Sequence, residues 1–246
     1  MKKILIVGAT SAIAGACARL WAADEGEFFL VARDAQKLQQ TSADLLVRGA
    51  GEVTTHVMDA TDIAAHSVML EYCLDTLQSI DICLIAHGTL PDQSACEQNA
   101  DLTLTEFANN GTSVIALLTL LANQMAVQRS GTLAVISSVA GDRGRPSNYV
   151  YGCAKAAVST FCEGLRARLF KSGVQVMTIK PGFVDTPMTQ GLALPALLVA
   201  QPEAVARRIV AGIEHKVSVL YVPGFWVWVM WVIRGLPQPL FKRLNL

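Results

Sequence analysis

A tyrosine and a lysine four residues apart, Tyr151 and Lys155, are the residues of this chain that most clearly suggest chemistry. On a helix this spacing places both side chains on one face, where they can enter the same cleft. A phenol donates a proton, and a nearby ammonium would favour the phenolate and lower the phenol pKa from about 10 toward neutral pH. The pair alone is more typical of a solvated helix face, so its surroundings decide the interpretation.

Ser138 lies thirteen positions before Tyr151, where the β-branched run 134–136 gives way to small hydroxyl residues. A strand ending at this point would face the cleft that Tyr151 and Lys155 enter. Two hydroxyls and one ammonium can stabilise charge that develops on a carbonyl oxygen without a metal ion. The serine, the neighbouring glycines and the predicted strand therefore favour a catalytic site.

These residues resemble the short-chain dehydrogenase/reductase family, whose serine, Tyr-x3-Lys pair and upstream asparagine match Ser138, Tyr151, Lys155 and Asn110. The resemblance covers residues 3 to about 222. It implies that Tyr151 exchanges the hydroxyl proton while hydride moves to or from a nicotinamide. It also implies that Ser138 holds the substrate oxygen, Lys155 binds ribose hydroxyls, and Asn110 anchors a water. Asn109 is an adjacent alternative to Asn110.

The elements that must position these residues alternate between apolar runs and helical patterns. This alternation predicts a parallel sheet in a single doubly wound α/β (Rossmann) domain over 1–246, with seven strands and an apolar C-terminal extension at 224–246. The predicted strands are 3–7, 27–32, 52–58, 80–86, 131–137, 174–180 and 217–222. The predicted helices are 12–24, 34–48, 62–78, 101–128, 148–171 and 202–214.

Composition narrows the function. The chain has 246 residues, and its 20 basic and 20 acidic side chains balance, which argues against nucleic-acid binding. The 6 cysteines show no metal-ligand spacing and are expected to be reduced core thiols, with no metal site. The segment Met1–Gly8 has too few consecutive apolar residues to form a secretory signal peptide, so we expect a cytoplasmic location.

The first predicted strand runs into Gly8-Ala-Thr-Ser-Ala-Ile-Ala-Gly15, where a Rossmann turn would bring backbone N–H groups to a pyrophosphate. The family pattern is Gly-x3-Gly-x-Gly, whereas this chain has Ala12 and Ala14 at the second and third positions. A glycine turn without a ligand is the alternative. The predicted contacts to the phosphates are Gly8, Thr10, Ser11 and Ile13.

Arg33 follows the second predicted strand, at the position where this fold reads the adenosine ribose. A guanidinium suits the 2′-phosphate of NADP, so we expect NADP as cofactor, while Asp34 leaves NAD open. The alternative for Arg33 is a solvated residue at the start of a helix. Asp59, after the third strand, matches the adenine-binding aspartate of the family and also suits a turn.

Two further turns complete the predicted cofactor site. The family has Asn-Ala-Gly after strand four, whereas this chain reads Ala86-His87-Gly88, so only Gly88 matches. His87 is expected to order the loop and to take no chemical step. The Pro-Gly turn after strand six resembles the family segment that orients the nicotinamide carboxamide. Its predicted contacts are Pro181, Gly182, Val184 and Thr186.

Apolar residues dominate the part of the chain expected to hold the substrate. Residues 187–202 occupy the place of the family's substrate lid and suggest an apolar or lipid-linked substrate, or else a short helix packed on the domain or on a neighbour. The extension carries tryptophans followed by Arg234, Lys242 and Arg243. This combination suits a peripheral membrane contact, a buried surface between subunits or a cover on the domain. Family resemblance implies a homodimer or homotetramer.

Within the family, the run 137–145, the segment 148–152 and the basic tail are similar to the decaprenyl-phosphoryl 2-keto-pentose reductase branch. That resemblance implies a keto sugar on a lipid carrier, with Arg143 or Arg145 near a phosphate. The sequence as a whole predicts an NADP(H)-dependent oxidoreductase that interconverts a ketone and a secondary alcohol. The alternative is a non-catalytic dinucleotide-binding regulator or scaffold, indicated by the altered glycine turn.

Overall fold

Seven parallel strands form the central sheet of the protein, in the order β3-β2-β1-β4-β5-β6-β9. The structure is a computed structural model and describes residues 1–192 and 194–244. The strands are Lys3–Val7 (β1), Glu27–Ala32 (β2), Glu52–Val57 (β3), Ile82–Ile85 (β4), Thr132–Ile136 (β5), Gln175–Pro181 (β6), Phe183–Val184 (β7), Val199–Ala200 (β8) and Val219–Val222 (β9). The predicted doubly wound α/β fold is confirmed.

Helices cover both faces of the sheet. They are Ala12–Ala22 (α1), Ala35–Val47 (α2), Ala65–Leu77 (α3), Gln93–Gln98 (α4), Ala100–Phe107 (α5), Ser113–Gln128 (α6), Tyr149–Leu169 (α7), Pro202–Glu214 (α8), Trp226–Gly235 (α9) and Gln238–Phe241 (α10). The segment 108–112 between α5 and α6 is a π-helical turn.

Strand side chains alternate between two apolar cores. In β1, Ile4 and Ile6 pack with α1 and α8, while Leu5 and Val7 pack with α3, α6 and α7 on the other face. A strand buried on both faces reads as a continuous apolar run, which is why the central strands were evident from the sequence. The carboxyl ends of these strands meet at one edge, where the predicted site residues follow them.

The predicted helix 101–128 is divided in the structure. The π-helical turn at 108–112 separates α5 from α6, and such turns often occur at functional sites. By length and composition the continuous run Ala100–Gln128 could cross a membrane, but 50% of its most apolar window is buried. Leu117, Leu118 and Leu121 pack in the core, so this helix serves the fold.

The C-terminal extension forms two helices that the sequence patterns did not predict, α9 and α10. Trp226 and Met230 of α9 pack on Val139, just after β5. A side chain at Gly182 would overlap the Trp226 indole, because its Cβ would lie 1.9 Å from Nε1. The extension therefore packs directly against the cleft. Asn245 and Leu246 at its end, and Ala193 within the predicted lid, lie outside the described residues.

Candidate active site

A cleft of about 390 Å³ opens at the carboxyl edge of the sheet. Every residue predicted to belong to the site lines it. These are Gly8, Thr10, Ser11, Ile13, Arg33, Asp59, Gly88, Asn110, Ser138, Tyr151, Lys155, Pro181, Gly182, Val184 and Thr186. The parallel topology thus brings together residues that are dispersed over most of the sequence, while their individual roles stay predictions.

Tyr151 lies in the first turn of α7, and Ser138 follows β5 and lines the same cleft. Burial raises the pKa of Tyr151 to about 12, and the nearby Ser138 side chain offsets part of this effect. The sequence predicted a lowering by the Lys155 ammonium, which is wrong for this arrangement. Burial outweighs that charge, since the Lys155 Nζ atom lies 5.6 Å from the Tyr151 ring centroid. The phenol therefore holds its proton at neutral pH.

Lys155 points into the cleft from the next turn of α7 and is only 3% exposed. Its Nζ donates to the backbone carbonyl of Ile136 over 3.2 Å. Burial lowers the pKa of Lys155 to about 8, because a cation loses hydration there. Gly88 lies nearby, since a Cβ built on it would be 3.5 Å from the lysine Nζ. The ammonium thus has unused hydrogen-bonding capacity facing the cleft.

Asn110 is fully buried in the π-helical turn. Its Oδ1 accepts from the Thr89 backbone N–H over 3.0 Å, and its Nδ2 donates to the Glu106 carbonyl over 3.0 Å. Asn109 also lines the cleft, and its Nδ2 donates to the Thr89 hydroxyl over 3.0 Å. Both asparagines therefore anchor the loop after β4. Sequence reasoning missed Thr89 and Glu106, although Thr89 directly follows the predicted Gly88.

The turn between β1 and α1 has the form needed to receive a phosphate. Gly8 adopts a φ of 85°, and a Cβ there would lie 2.4 Å from the His87 backbone nitrogen. Ser11 precedes α1 without capping it, and the first described backbone bond into the helix is made by Gly15. The N–H groups of residues 12–14 consequently have no acceptor among the described residues. Such groups fit an anion, so Ala12 and Ala14 do not remove the phosphate site.

Arg33 and Asp34 are used differently. The Asp34 carboxylate accepts from Lys37 N–H over 3.0 Å and caps α2, so it is committed to the helix. Arg33 lines the cleft and forms no hydrogen bond or salt bridge within 1–192 and 194–244. Asp59 accepts hydrogen bonds from the backbone N–H of Thr61 over 2.9 Å and from the Thr61 hydroxyl over 2.8 Å. The bond from the backbone N–H is the main cause that lowers the pKa of Asp59. Asp59 therefore forms a turn and also faces the cleft.

His87 occupies the position where the family has alanine. Its Nε2 lies 2.9 Å from the Ser113 hydroxyl, which donates to the Asn109 carbonyl over 2.8 Å. Burial is the main cause that lowers the pKa of His87 to about 3, so the ring is neutral. These contacts tie the loop after β4 to the start of α6. They agree with the prediction that His87 orders the loop.

The segment after β6 forms another part of the cleft wall. Phe183–Val184 (β7) pairs with Val199–Ala200 (β8), so the two ends of the predicted lid are fixed to each other. Thr189 donates through its hydroxyl to the Val184 carbonyl over 2.6 Å. Met188 and Leu192 line the cleft between these ends. Of the alternative, a short packed helix, the described residues contain the 3₁₀ turn Ala196–Leu198.

The two arginines of the loop before α7 separate. Arg143 turns away from the cleft, stacks on the Phe241 ring at 3.7 Å and donates to the carbonyls of Ile233, Arg234 and Leu236. The suggestion that it approaches a substrate phosphate is therefore wrong, because its guanidinium caps α9. Arg145 does line the cleft, and so does Asn148, which the sequence reading did not select. The signal available in the sequence was that Arg145 follows Gly144 and that Asn148 begins the predicted helix 148–171.

Comparison with known proteins gives concordant results. The family model described as short chain dehydrogenase matches residues 2–195. An uncharacterised oxidoreductase of Mycobacterium tuberculosis strain H37Rv is 36% identical over 241 residues, which cover 98% of this chain and 96% of that protein. Another uncharacterised oxidoreductase, from the mprA 5′ region of Streptomyces coelicolor, is 35% identical over 245 residues, with 99% and 96% coverage.

The crystal structure of levodione reductase shares the fold, with a TM-score of 0.82 at 21% identity over 92% of this chain and 97% of that chain. This likeness supports the seven-stranded doubly wound architecture. The family match extends through the segments that supply Ser138, Tyr151 and Lys155. The chain therefore belongs to the short-chain dehydrogenase family of NAD(P)-dependent oxidoreductases.

Proposed function

We propose that this protein is an NADP(H)-dependent oxidoreductase that interconverts a ketone and a secondary alcohol on an apolar or lipid-linked substrate. The observation that carries the proposal is the convergence of Ser138, Tyr151 and Lys155 in one cleft with the unpaired N–H groups of α1. A nicotinamide nucleotide supplies or accepts hydride when it is bound. The protein must then supply the proton and position the substrate oxygen.

Tyr151 is the proton donor in this proposal. Its pKa, raised to about 12 by burial, keeps the phenol protonated and ready to donate to an oxygen that gains negative charge. Ser138, which lines the same cleft, can bind that oxygen from a second side. Lys155, buried one helical turn further on, would bind ribose hydroxyls and stabilise the phenolate left after proton transfer.

The preference for NADP(H) rests on Arg33 and Asp34. Arg33 is an exposed cation at the cleft with no partner among the described residues, so it can bind a 2′-phosphate. Asp34, the residue that could accept from a 2′-hydroxyl instead, is held in the N-cap of α2. The two side chains together favour the phosphorylated nucleotide.

An apolar substrate is supported by the apolar lining of the cleft that holds the catalytic residues. Leu90, Val139, Phe183, Met188 and Leu192 contribute to this wall. Such a lining lowers the free energy of an aliphatic group and excludes water from the reacting atoms. A long-chain ketone and a keto sugar on a lipid carrier both present the aliphatic portion that this wall would contact.

The experiment that tests the proposal replaces Tyr151 with phenylalanine. In Tyr151→Phe, ketone-dependent NADPH oxidation should fall by a factor of about 10² to 10⁴, because the ring stays and only the transferable proton is lost. NADPH affinity, measured by nicotinamide fluorescence, should stay close to that of the wild type. Aliphatic ketones of increasing chain length serve as substrates.

Tyr149 offers a matched control. It lies two residues away on the same helix but is 45% exposed and does not line the cleft. Tyr149→Phe should retain wild-type turnover. If Tyr151→Phe reduces ketones as fast as Tyr149→Phe, Tyr151 is not the proton donor. If the wild-type protein binds NADPH but none of the ketones supports NADPH oxidation, a non-catalytic nucleotide-binding role becomes the better interpretation.

A further inference from the structure

Two buried polar atoms in the loop before α7 have no partner within the described residues. Arg145 and Asn148 both line the cleft, and the Arg145 Nε and the Asn148 Oδ1 are buried without a hydrogen bond. Burying a polar atom without a partner costs free energy that a folded protein normally avoids. A ligand that offers an acceptor to the Arg145 Nε–H and a donor to the Asn148 Oδ1 would satisfy both atoms.

The loop before α7 brings these residues close to the predicted proton donor. The Asn148 N–H donates to the Arg145 carbonyl over 3.2 Å, and the Gly152 N–H donates to the Asn148 carbonyl over 2.8 Å. These bonds form a turn that leads directly into the first turn of α7, where Tyr151 lies. Arg145 is therefore tied to the start of α7, and it lines the same cleft as Tyr151.

The other half-buried arginines of the described chain show how unusual Arg145 is. Arg143 donates to three backbone carbonyls at the end of α9. Arg166 donates to the Val176 carbonyl over 3.0 Å and to the Thr178 hydroxyl over 2.9 Å. Arg145 has neither a hydrogen bond nor a salt bridge within 1–192 and 194–244. A half-buried guanidinium without a countercharge is suited to bind an anion from outside the chain.

This cation is distinct from the one that would read the nucleotide. Arg33 follows β2 and Arg145 follows β5, and β1 and β4 lie between these strands in the sheet. Three steps between neighbouring strands correspond to roughly 14 Å. Because the two arginines follow strands that far apart, we assign the 2′-phosphate to Arg33 and leave Arg145 for the substrate.

We propose that Arg145 binds an anionic group of the substrate, a carboxylate or a phosphate, while the Asn148 Oδ1 accepts from a hydroxyl of the same substrate. Because Met188 and Leu192 line the same cleft, the substrate class is an amphiphile with one anionic group and an aliphatic portion. The assignment of this part of the cleft to the substrate rests on the proposed function. It adds a specificity-determining residue, which is not required for proton transfer.

Binding measurements test this proposal independently of turnover. The protein is saturated with NADP⁺, which occupies the Arg33 region, and is titrated calorimetrically with octyl phosphate, octanoate and 1-octanol. Wild-type protein should bind at least one of the anions about tenfold or more tightly than the alcohol. Arg145→Met should remove this advantage and leave 1-octanol binding unchanged, while Arg145→Lys should retain part of it. If Arg145→Met loses the binding advantage for octyl phosphate alone, the anionic group is a phosphate. If it loses the advantage for octanoate alone, the group is a carboxylate.

Arg207→Met is the matched control, since Arg207 is exposed on α8 and has no described partner. NADPH titration of each variant verifies its fold, and Arg145→Gln provides a second variant without the charge if Arg145→Met does not fold. The proposal is overturned if the wild type binds both anions no better than 1-octanol, or if Arg145→Met and Arg145→Lys bind them as the wild type does. Anion binding through Arg145 without any ketone reduction would instead overturn the reductase and keep the anion site.

Discussion

At the cofactor end of the cleft, the site residues lie near the ends of β1, β2 and β3. At the substrate end, hydrogen bonds connect segments that are up to 93 residues apart in the sequence. Gly8 and Arg33 directly follow the buried strands β1 and β2, and Asp59 lies two residues after the partly exposed strand β3. On the other side, the loop with Arg143 is fixed to the far end of α9. The first half thus depends on sheet topology and the second on contacts between distant segments.

This difference has a physical origin. A parallel strand buried on both faces must emerge at the same edge as its neighbours, so the residue after it is placed within a narrow range. The substrate end contains loops and an added helix pair, whose positions depend on individual side chains such as Arg143 and Trp226. We therefore expect the cofactor end to respond to changes in backbone geometry and the substrate end to respond to loss of single side-chain contacts.

The largest effect is expected from a methyl group at the first turn. Gly8→Ala places a Cβ 2.4 Å from the His87 nitrogen on a backbone with φ of 85°, so the loops after β1 and β4 must separate. The free energy of unfolding should fall by about 2 kcal/mol or more, and NADPH affinity should fall by over about tenfold. Urea unfolding and nicotinamide fluorescence measure the two quantities.

Gly15→Ala is the matched control for this change. Gly15 lies in α1, and a Cβ there would meet no heavy atom within 4 Å. Alanine should leave stability unchanged or raise it by about 1 kcal/mol through helix propensity. Equal behaviour of the two variants would show that the turn at Gly8 tolerates movement and that backbone geometry does not govern the cofactor end.

A smaller effect is expected where the C-terminal extension joins the catalytic loop. Arg143→Met leaves the last carbonyls of α9 without their donors and removes the stacking on Phe241, so stability should fall by about 2 kcal/mol. KM for ketones should rise because the wall beside Ser138 loosens, while the NADPH dissociation constant should not change. Steady-state kinetics and fluorescence titration separate the two outcomes.

Arg207→Met again serves as the control, since it removes an exposed guanidinium without a described partner. If Arg143→Met weakens NADPH binding as much as ketone binding, the two ends of the cleft are coupled and the contrast between them fails.

The same contrast explains how much could be predicted from the sequence. The strands were evident because their apolar runs are continuous, and Ser138, Tyr151 and Lys155 followed from spacing. The unpaired state of Arg145 and the capping role of Arg143 could not be predicted. Both arginines lie in one short polar loop, and only contact with residues far along the chain distinguishes them. The pKa of Tyr151 was misjudged because burial is a property of the folded protein.

Cofactor choice should change with one side chain. Arg33→Ala should weaken NADPH binding about 10- to 100-fold through loss of a charge-assisted contact, and should leave NADH binding unchanged. Asp34→Asn is the control, because asparagine can still cap α2 and the carboxylate is already engaged there. An equal loss for both nucleotides in Arg33→Ala would mean that Arg33 binds a part that they share.

The smallest effect on the enzyme itself is expected on the outer face of α9. Trp228 and Trp231 are each 71% exposed, and the adjacent Arg234, Lys242 and Arg243 are exposed in an extension without acidic residues. We propose that this face contacts an anionic membrane surface, since exposed indole rings beside cations suit the headgroup region. The face lies beside the substrate end of the cleft, which would place a lipid-linked ketone within reach.

Sedimentation with vesicles tests this contact. The wild type should bind anionic vesicles and bind neutral ones weakly, and the double variant Trp228→Ser with Trp231→Ser should lose most of this binding. Its unfolding midpoint and its turnover of short-chain ketones should stay unchanged, because both rings lie outside the core. Val127→Ser with Phe170→Ser is the matched control, since these side chains are 81% and 82% exposed on other surfaces. A wild-type dimer that dissociates in the double tryptophan variant, without vesicle binding, would instead assign this face to a second copy of the chain.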